Sequence, residues 1–305
     1  MLLVLLLAAC ADDPAPTRAE SLEGRTRVDP STDPYPPVLA ADFEALFEDP
    51  VPVPGGVNTA GAEDSPFVAD GGLYFFFTPD PGIPAEQQVL DGVTGIWWIS
   101  AGDGATGDDE ARVVLADEDA MDGCPTFHRG TLWFCSIRAG NVNEIDWWTA
   151  ACDGPECEDW ANAGERVNTE IRAGELHLTD DALWFGAERD GGHGGQDLWR
   201  SAVDGDSFED PVNLGPAVND AGTQVMPWVA PDGSELWFTG TSALGHPGPA
   251  LWRSTWEADA WTEAREVVSS FAGEPTVDPF GNVWFVHHYF TDGPDEMIEA
   301  DLFVA

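Results

Sequence analysis

One pattern constrains this chain more than any other. A short run ending in a Leu/Val-aromatic-Phe strand recurs along its length: EDSPFVADGGLYFFF (63–77), DGCPTFHRGTLWFCS (122–136), GELHLTDDALWFGA (174–187), TQVMPWVAPDGSELWFTG (223–240) and GEPTVDPFGNVWFVH (273–287). Anchored on Leu73, Leu132, Leu183, Leu236 and Val283, the runs are spaced by 59, 51, 53 and 47 residues. Each reads as strand, tight turn, strand. Asp-Gly at 70–71 and 232–233 and Gly-Asn at 281–282 supply the backbone conformations that hairpin turns need and bulky residues resist. A third strand follows each hairpin: GIWWISA (95–101), IDWWTAA (145–151), DLWRSAV (197–203), ALWRSTW (250–256) and DLFVA (301–305). Most units add a fourth: WANAGERVN (160–168), FEDPVNLGPAVN (208–219) and WTEAREVV (261–268). Four antiparallel strands repeating at roughly 40–50 residues make a β-propeller blade, so the predicted class is all-β. The first interval is long because of the polar stretch AGDGATGDDEAR (101–112), expected as a loop.

The last unit stops after its third strand. FEALFEDPVPVPGGVN (43–58) repeats the grammar of FEDPVNLGPAVN: aromatic start, Pro-Val, Gly, then Val-Asn. The N-terminal strand is therefore expected to complete the last blade, which closes the ring and removes exposed sheet edges. The predicted count is five blades of four strands; the alternative is six, with a diverged unit inside 78–120. PDGSELWF, GGHGGQDLWRS and FEDPVNLGPAVN resemble the Pro-Asp repeats of TolB-type, WD40-like β-propeller proteins, over roughly 40–305. The resemblance implies a propeller and leaves the activity open, because propellers serve as scaffolds and as enzymes.

Charge excludes one class of partner. The 56 acidic and 12 basic residues give a formal net charge of −44, and every basic side chain except His is Arg. Such a field repels phosphate backbones, so no nucleic-acid partner is expected. A carboxylate coat either solvates the surface or receives cations or a basic partner.

The N-terminus reads as an address. LLVLLLAA (2–9) is too short to span a bilayer, which takes about 20 apolar residues, and fits a signal-peptide core. Leu7-Ala8-Ala9-Cys10 resembles the lipobox of bacterial lipoproteins. That resemblance implies cleavage before Cys10, lipidation of Cys10 and anchoring to the cell envelope; Ala11 after the Cys favours the outer membrane. The alternative is an ordinary signal peptide with an incidental Cys. Residues 11–40 are rich in Pro, Asp, Ser and Thr without apolar period, and are expected to form a disordered tether. The expected division is signal peptide 1–9, lipidated Cys and tether 10–40, and propeller 41–305.

Cys124, Cys135, Cys152 and Cys157 remain. A turn at 128–131 sets Phe127 opposite Leu132 and Cys124 opposite Cys135, while Cys152 and Cys157 bracket the turn 153–156. Two local disulfides are expected, with a four-Cys zinc site as the alternative.

Catalytic motifs are scarce. The sequence holds no His-Glu-x-x-His helix, P-loop or Gly-x-Ser-x-Gly elbow. Gly191-Gly192-His193-Gly194-Gly195 lies between strands and reads as a turn. His287 and His288 are adjacent strand residues that face opposite sides, one packed and one exposed. What remains is a set of polar residues near the starts of the innermost strands: Asp64, Asp122, Glu175, Gln224 and Glu274. Gathered at one channel mouth, these acids repel unless protonated, screened or bound to a cation, and Ca²⁺ suits an oxygen ring. Paired carboxylates in a five-bladed ring are also similar to arabinanase-type glycoside hydrolases, which use inner-strand acids as general acid and base. The leading expectation is a non-catalytic, monomeric lipoprotein whose propeller binds a protein or envelope polymer. The alternatives are a glycan-active hydrolase using the inner-strand acids and a cation-stabilised surface protein.

Overall fold

The computed structural model describes residues 16–69, 71–116, 120–291 and 296–305. Cys10, the expected signal peptide and Asp70 lie outside them. The body is all-β, built of antiparallel meanders that follow one another in the chain. The first runs Ala62–Ala69, Gly72–Thr78, Gly95–Gly102, Arg112–Leu115. The second runs Asp122–His128, Thr131–Ser136, Asp146–Asp153, Glu156–Asn162. The third runs Leu176–Leu178, Ala182–Ala187, Asp197–Asp204, Val212–Asn213. The fourth runs Gln224–Val229, Glu235–Thr241, Pro249–Glu257, Arg265–Ser269. The last runs Ala272–Val277, Val283–Phe290, Met297–Val304, and takes its outer strand, Val51–Pro52, from the N-terminal side of the chain.

Each inner strand touches the inner strand of the next meander, and Ala272–Val277 touches Ala62–Ala69. The inner strands thus form a closed ring around an axis, as in a propeller. The repeated Leu and Phe two residues apart lie on one face of each second strand. Leu73, Leu132, Leu183, Leu236 and Val283 are at most 1% exposed, as are Phe75, Phe134, Phe185, Phe238 and Phe285. These side chains fill the space between sheets and hold the ring together.

The Val-Asn that ends the outer segment explains the repeat's grammar. Asn168 Oδ1 accepts from Trp147 N at 2.7 Å, and its amide donates to Trp147 O at 3.1 Å. Asn219 does the same to Leu198, at 2.8 and 3.0 Å. Asn58 does it to Leu302, 244 residues away, at 2.8 and 2.9 Å. In each case one side-chain amide satisfies both backbone groups of a third-strand residue. The N-terminal segment therefore meets the last meander as its own outer segment, as its sequence predicts. The 101–112 stretch is more ordered than a plain loop: Ala105–Thr106 folds back on the third strand, and Thr106 N and Gly56 N bond Pro54 O and Gly107 O, each at 2.9 Å.

Two expectations are corrected. Over 16–40 the expected tether is docked on the body. Arg18–Ser21 forms a helical turn with a Thr17/Glu20 capping box. Arg18 is buried against Glu63 at 3.0 Å with its guanidinium over the Phe75 and Phe77 rings. Arg27 pairs with Asp301 at 2.8 Å, Val28 N donates to Glu299 at 2.9 Å, and Asp33 meets His287 at 2.7 Å. Val38–Leu39 adds to the edge strand Arg265–Ser269. Long-range ion pairs and backbone pairing supply what the segment lacks in apolar surface. The second correction concerns the cysteines. Cys152–Cys157 is a disulfide; Cys124 and Cys135 are left unbonded with their Sγ atoms 2.6 Å apart, closer than two thiols ordinarily approach. Phe127 does face Leu132; a bulge between Gly123 and Thr126 then slips the register, so that Gly123 faces Cys135.

Candidate active site

The site is made by a repeated irregularity. The inner strands are bulged at 64–67, 123–126, 225–228 and 273–276. In each bulge a non-glycine residue takes a left-handed backbone: Ser65 (φ 50°), Cys124 (51°), Met226 (53°) and Glu274 (57°). A proline follows each of them: Pro66, Pro125, Pro227 and Pro275. Proline removes a ladder donor and is tolerated in sheets at bulges. Each left-handed non-glycine residue costs on the order of 1–3 kcal/mol and persists only where the surroundings enforce it. Here four such residues are turned inward, and with Glu175 of the third meander they line an axial cavity of about 50 Å³.

The expected ring of Asp64, Asp122, Glu175, Gln224 and Glu274 divides at this bulge. Glu175 and Glu274 line the axial cavity. Asp64 lies one residue before the bulge residue Ser65, and its carboxyl reaches both Glu274 and His288, with His288 Nε2 at 3.2 Å from Oδ2. Asp122 and Gln224 sit two residues before their bulge residues, which turns them away from the axis. Asp122 is fully buried and paired with Arg138 at 2.8 Å. Gln224 is bonded to Asp220, and its backbone N–H to Gln196 O at 2.7 Å. They form one row with Glu63, the partner of Arg18. Counting back from the proline would have separated the rows and found Ser65, Cys124 and Met226. His288 carries no such local signal, because it comes from a second strand. Among the described residues, no group of three or more His, Cys, Asp or Glu is arranged to hold a metal ion.

The electrostatics of the mouth are asymmetric. Burial, with the adjacent Asp64 charge, pushes the Glu274 carboxyl well above the usual range. Burial acts on Asp64 in the same direction, but the His288 charge and hydrogen bond outweigh it and leave Asp64 below its ordinary value. Two touching carboxyl groups cannot both ionise cheaply, so the pair holds one proton, on Glu274. The Cys124 thiol is also raised, by its bond to Cys135, burial and the nearby Glu175 and Glu274.

Below the mouth the channel is stoppered. His177 packs between Phe67 and Trp228, with centroids 5.7 and 5.9 Å away. Its Nε2 is 3.1 Å from Val229 O, and burial lowers it to about 3, so the ring is neutral. Beside the mouth a cleft of about 490 Å³ opens between the second and third meanders, lined by Glu175, Trp147, Asn143, Asn168, Arg172 and Gln196 among others. That volume is typical of small-molecule sites, whereas the axial cavity holds only water-sized groups. Glu175 lines both. Glu274 holds a proton in the axial cavity, and Glu175, which lines the same cavity, also opens onto the ligand-sized cleft.

No protein-family model matches the chain, and no curated protein is similar enough to match. Solved structures do share its fold. A β-xylosidase (RS223) is similar at a TM-score of 0.50 and 15% identity, covering 85% of this chain and 95% of its own. An α-L-arabinofuranosidase from Lactobacillus brevis gives 0.43 and 13%, covering 80% and 90%. TolB from Acinetobacter baumannii gives 0.39 and 12%, covering 68% and 48%. At 15% identity the likeness to the β-xylosidase is one of fold, and it agrees with the closed ring of antiparallel meanders.

Proposed function

We propose that this protein is a five-bladed propeller hydrolase acting on glycans at its axial mouth. The observation that carries the reading is the proton-holding Asp64–Glu274 pair beside a cleft that ends at Glu175. Paired acids with environments that drive them apart are the usual arrangement for acid–base work. Glycoside hydrolysis needs two carboxyl positions flanking the scissile bond, about 5–5.5 Å apart for retention and about 6.5–9.5 Å for inversion. Asp64 and Glu274 touch, so they act as one position. Glu274 donates its proton to the leaving oxygen, and Asp64, held ionised by His288, keeps that proton in place until it is needed. Glu175 is the second position and acts on the anomeric carbon, directly or through water. The fold-level likeness to a β-xylosidase supports this reading by analogy. It ranks the catalytic alternative above the non-catalytic scaffold expected from sequence.

The proposal keeps the expected address. Export, lipidation at Cys10 and an envelope location place such an enzyme beside extracellular polymers, and Cys10→Ser is expected to lose the acyl mass and the membrane fraction. The catalytic test is direct. The purified protein is assayed for reducing-end release from xylan, arabinan and galactan and for cleavage of aryl glycosides between pH 4 and 9. Hydrolysis of at least one is expected, with kcat lowered about 100-fold or more in Glu274→Gln and in Glu175→Gln. No hydrolysis across the panel, or full activity in both variants, overturns the reading.

A further inference from the structure

A second, larger cavity lies on the other face of the ring. The bulges stand near the starts of the inner strands, whereas the turns 179–181 and 230–234 stand at their far ends. Between these turns, the outer strand Val212–Asn213 and the Trp256–Trp261 hairpin is a groove of about 820 Å³. It plays no part in the acid–base machinery.

Three indoles are joined edge to face along this groove. Trp256 packs on Trp261 at 5.1 Å and 76°, and Trp261 on Trp184 at 6.0 Å and 80°. Trp184 is buried, but Trp256 is 46% exposed. An exposed indole locked by its neighbour offers a flat apolar face that loses little entropy on binding, the usual character of a recognition aromatic. Val212 adds an exposed apolar edge.

The charges around the indoles select the ligand. In a protein of net charge −44 the expected occupant of an aromatic groove with carboxylates is a cation. Here the carboxylates are already engaged. Asp181 is paired with Arg200 at 2.8 Å and accepts from Thr179 at 2.7 Å. Asp180 is paired with Arg129 at 2.6 Å. Asp232 accepts from Ser234 N and Oγ within its own turn. Arg200 in turn lies over the Trp184 ring, 5.4 Å from its centroid. Two of the three carboxylates at the groove are thus neutralised by arginine and the third is held within its own turn, so the wall presents hydrogen-bonding groups rather than a cluster of open carboxylates. Polyanions are repelled by the molecule as a whole. What fits is neutral, rich in hydroxyls and flat on one face.

We infer that this groove binds a neutral glycan, its sugar faces stacked on Trp256 and Trp261 and its hydroxyls bonded along Asp181, Arg200 and Asn213. The inference does not depend on the axial mouth being catalytic, and its test separates the two. The purified protein is run in native affinity gels containing arabinoxylan, galactan or mixed-linkage β-glucan, with polygalacturonate and an oligo-arginine peptide as contrasting probes. Retardation by at least one neutral polysaccharide is expected, weakened about tenfold or more in Trp256→Ala and in Val212→Arg and unchanged in Glu274→Gln. Both groove substitutions are at exposed positions, and unaltered thermal unfolding shows that they leave the fold intact. No retardation by any neutral polysaccharide, retardation insensitive to both groove variants, or binding of the oligo-arginine peptide alone overturns the inference.

Discussion

His288 shows how one side chain sets the chemistry of its neighbours. It approaches from the second strand of the last meander and lies 3.2 Å from Asp64. Its charge and hydrogen bond hold Asp64 below the ordinary value against burial, and the Asp64 charge helps to hold Glu274 above its own. Removing the imidazole lets burial dominate and moves Asp64 upward. The acidic limb of the pH–rate profile is then expected to shift to higher pH in His288→Ala, because Asp64 must be ionised to anchor the proton on Glu274. The alkaline limb, set by loss of the proton that the pair shares, is expected to stay or move up, because removing a positive charge makes that proton harder to lose. An unchanged acidic limb would place the control of Asp64 elsewhere. The cysteines give a second check at this scale. Cys124 and Cys135 lie close but unbonded, whereas Cys152 and Cys157 are joined. Alkylation of the unreduced, unfolded protein is expected to add two labels within 120–305, on Cys124 and Cys135; their protection would mean that the pair has oxidised.

At the scale of elements, local grammar was readable and long-range docking was not. Hairpins, third strands and the Val-Asn outer segments were legible because each is written within about twenty residues by turn chemistry and alternating apolar residues. The axial site was half legible. Acids could be found near each inner strand, but a bulge shifts the face by one residue, so Asp122 and Gln224 were grouped with Glu175 and Glu274 although they point between sheets. The docked segment 16–40 was not legible at all. Its anchors are single contacts such as Arg27 to Asp301, 274 residues away, and no local period announces them. One of these anchors has a measurable cost. Arg18 and Glu63 are both buried, with side chains 6% and 0% exposed, and Thr59 N donates to the same carboxylate at 2.8 Å. Arg18→Met leaves Glu63 unpaired and is expected to destabilise the protein by about 3 kcal/mol in chemical denaturation. Arg18→Met/Glu63→Gln is expected to recover most of that loss, since a neutral pair removes the buried charge. A single variant without effect would show that the segment is dispensable to the body.

At the scale of the whole molecule, the arginines and the net charge act against each other. The basic side chains do more than neutralise. Arg138 is paired with Asp122 and lies over Phe134 and Trp148; Arg200 joins Asp181 and Trp184; Arg253 joins Glu235 and Trp237. A planar guanidinium can fork onto a carboxylate while stacking on a ring, which a lysine ammonium cannot, and this gives the exclusive use of Arg a physical sense. These pairs are local and short and the rings shield them in part, so salt weakens them less than it weakens the diffuse repulsion between surface acids. The excess of carboxylates is different. With a net charge of −44 the surface acids repel one another over distances comparable to the Debye length, about 30 Å at 0.01 M salt and about 3 Å at 1 M. Screening relieves that repulsion in the compact state more than in the expanded chain, where the charges are farther apart. Thermal stability is therefore expected to rise with added NaCl, by roughly 3 °C or more between 0.01 and 1 M, which for a chain of this size corresponds to about 2 kcal/mol. Choline chloride is expected to give the same rise, because the effect is one of ionic strength and not of a bound cation. A melting temperature that falls with salt would show that the arginine pairs outweigh the repulsion, and a rise confined to NaCl would point to a sodium site.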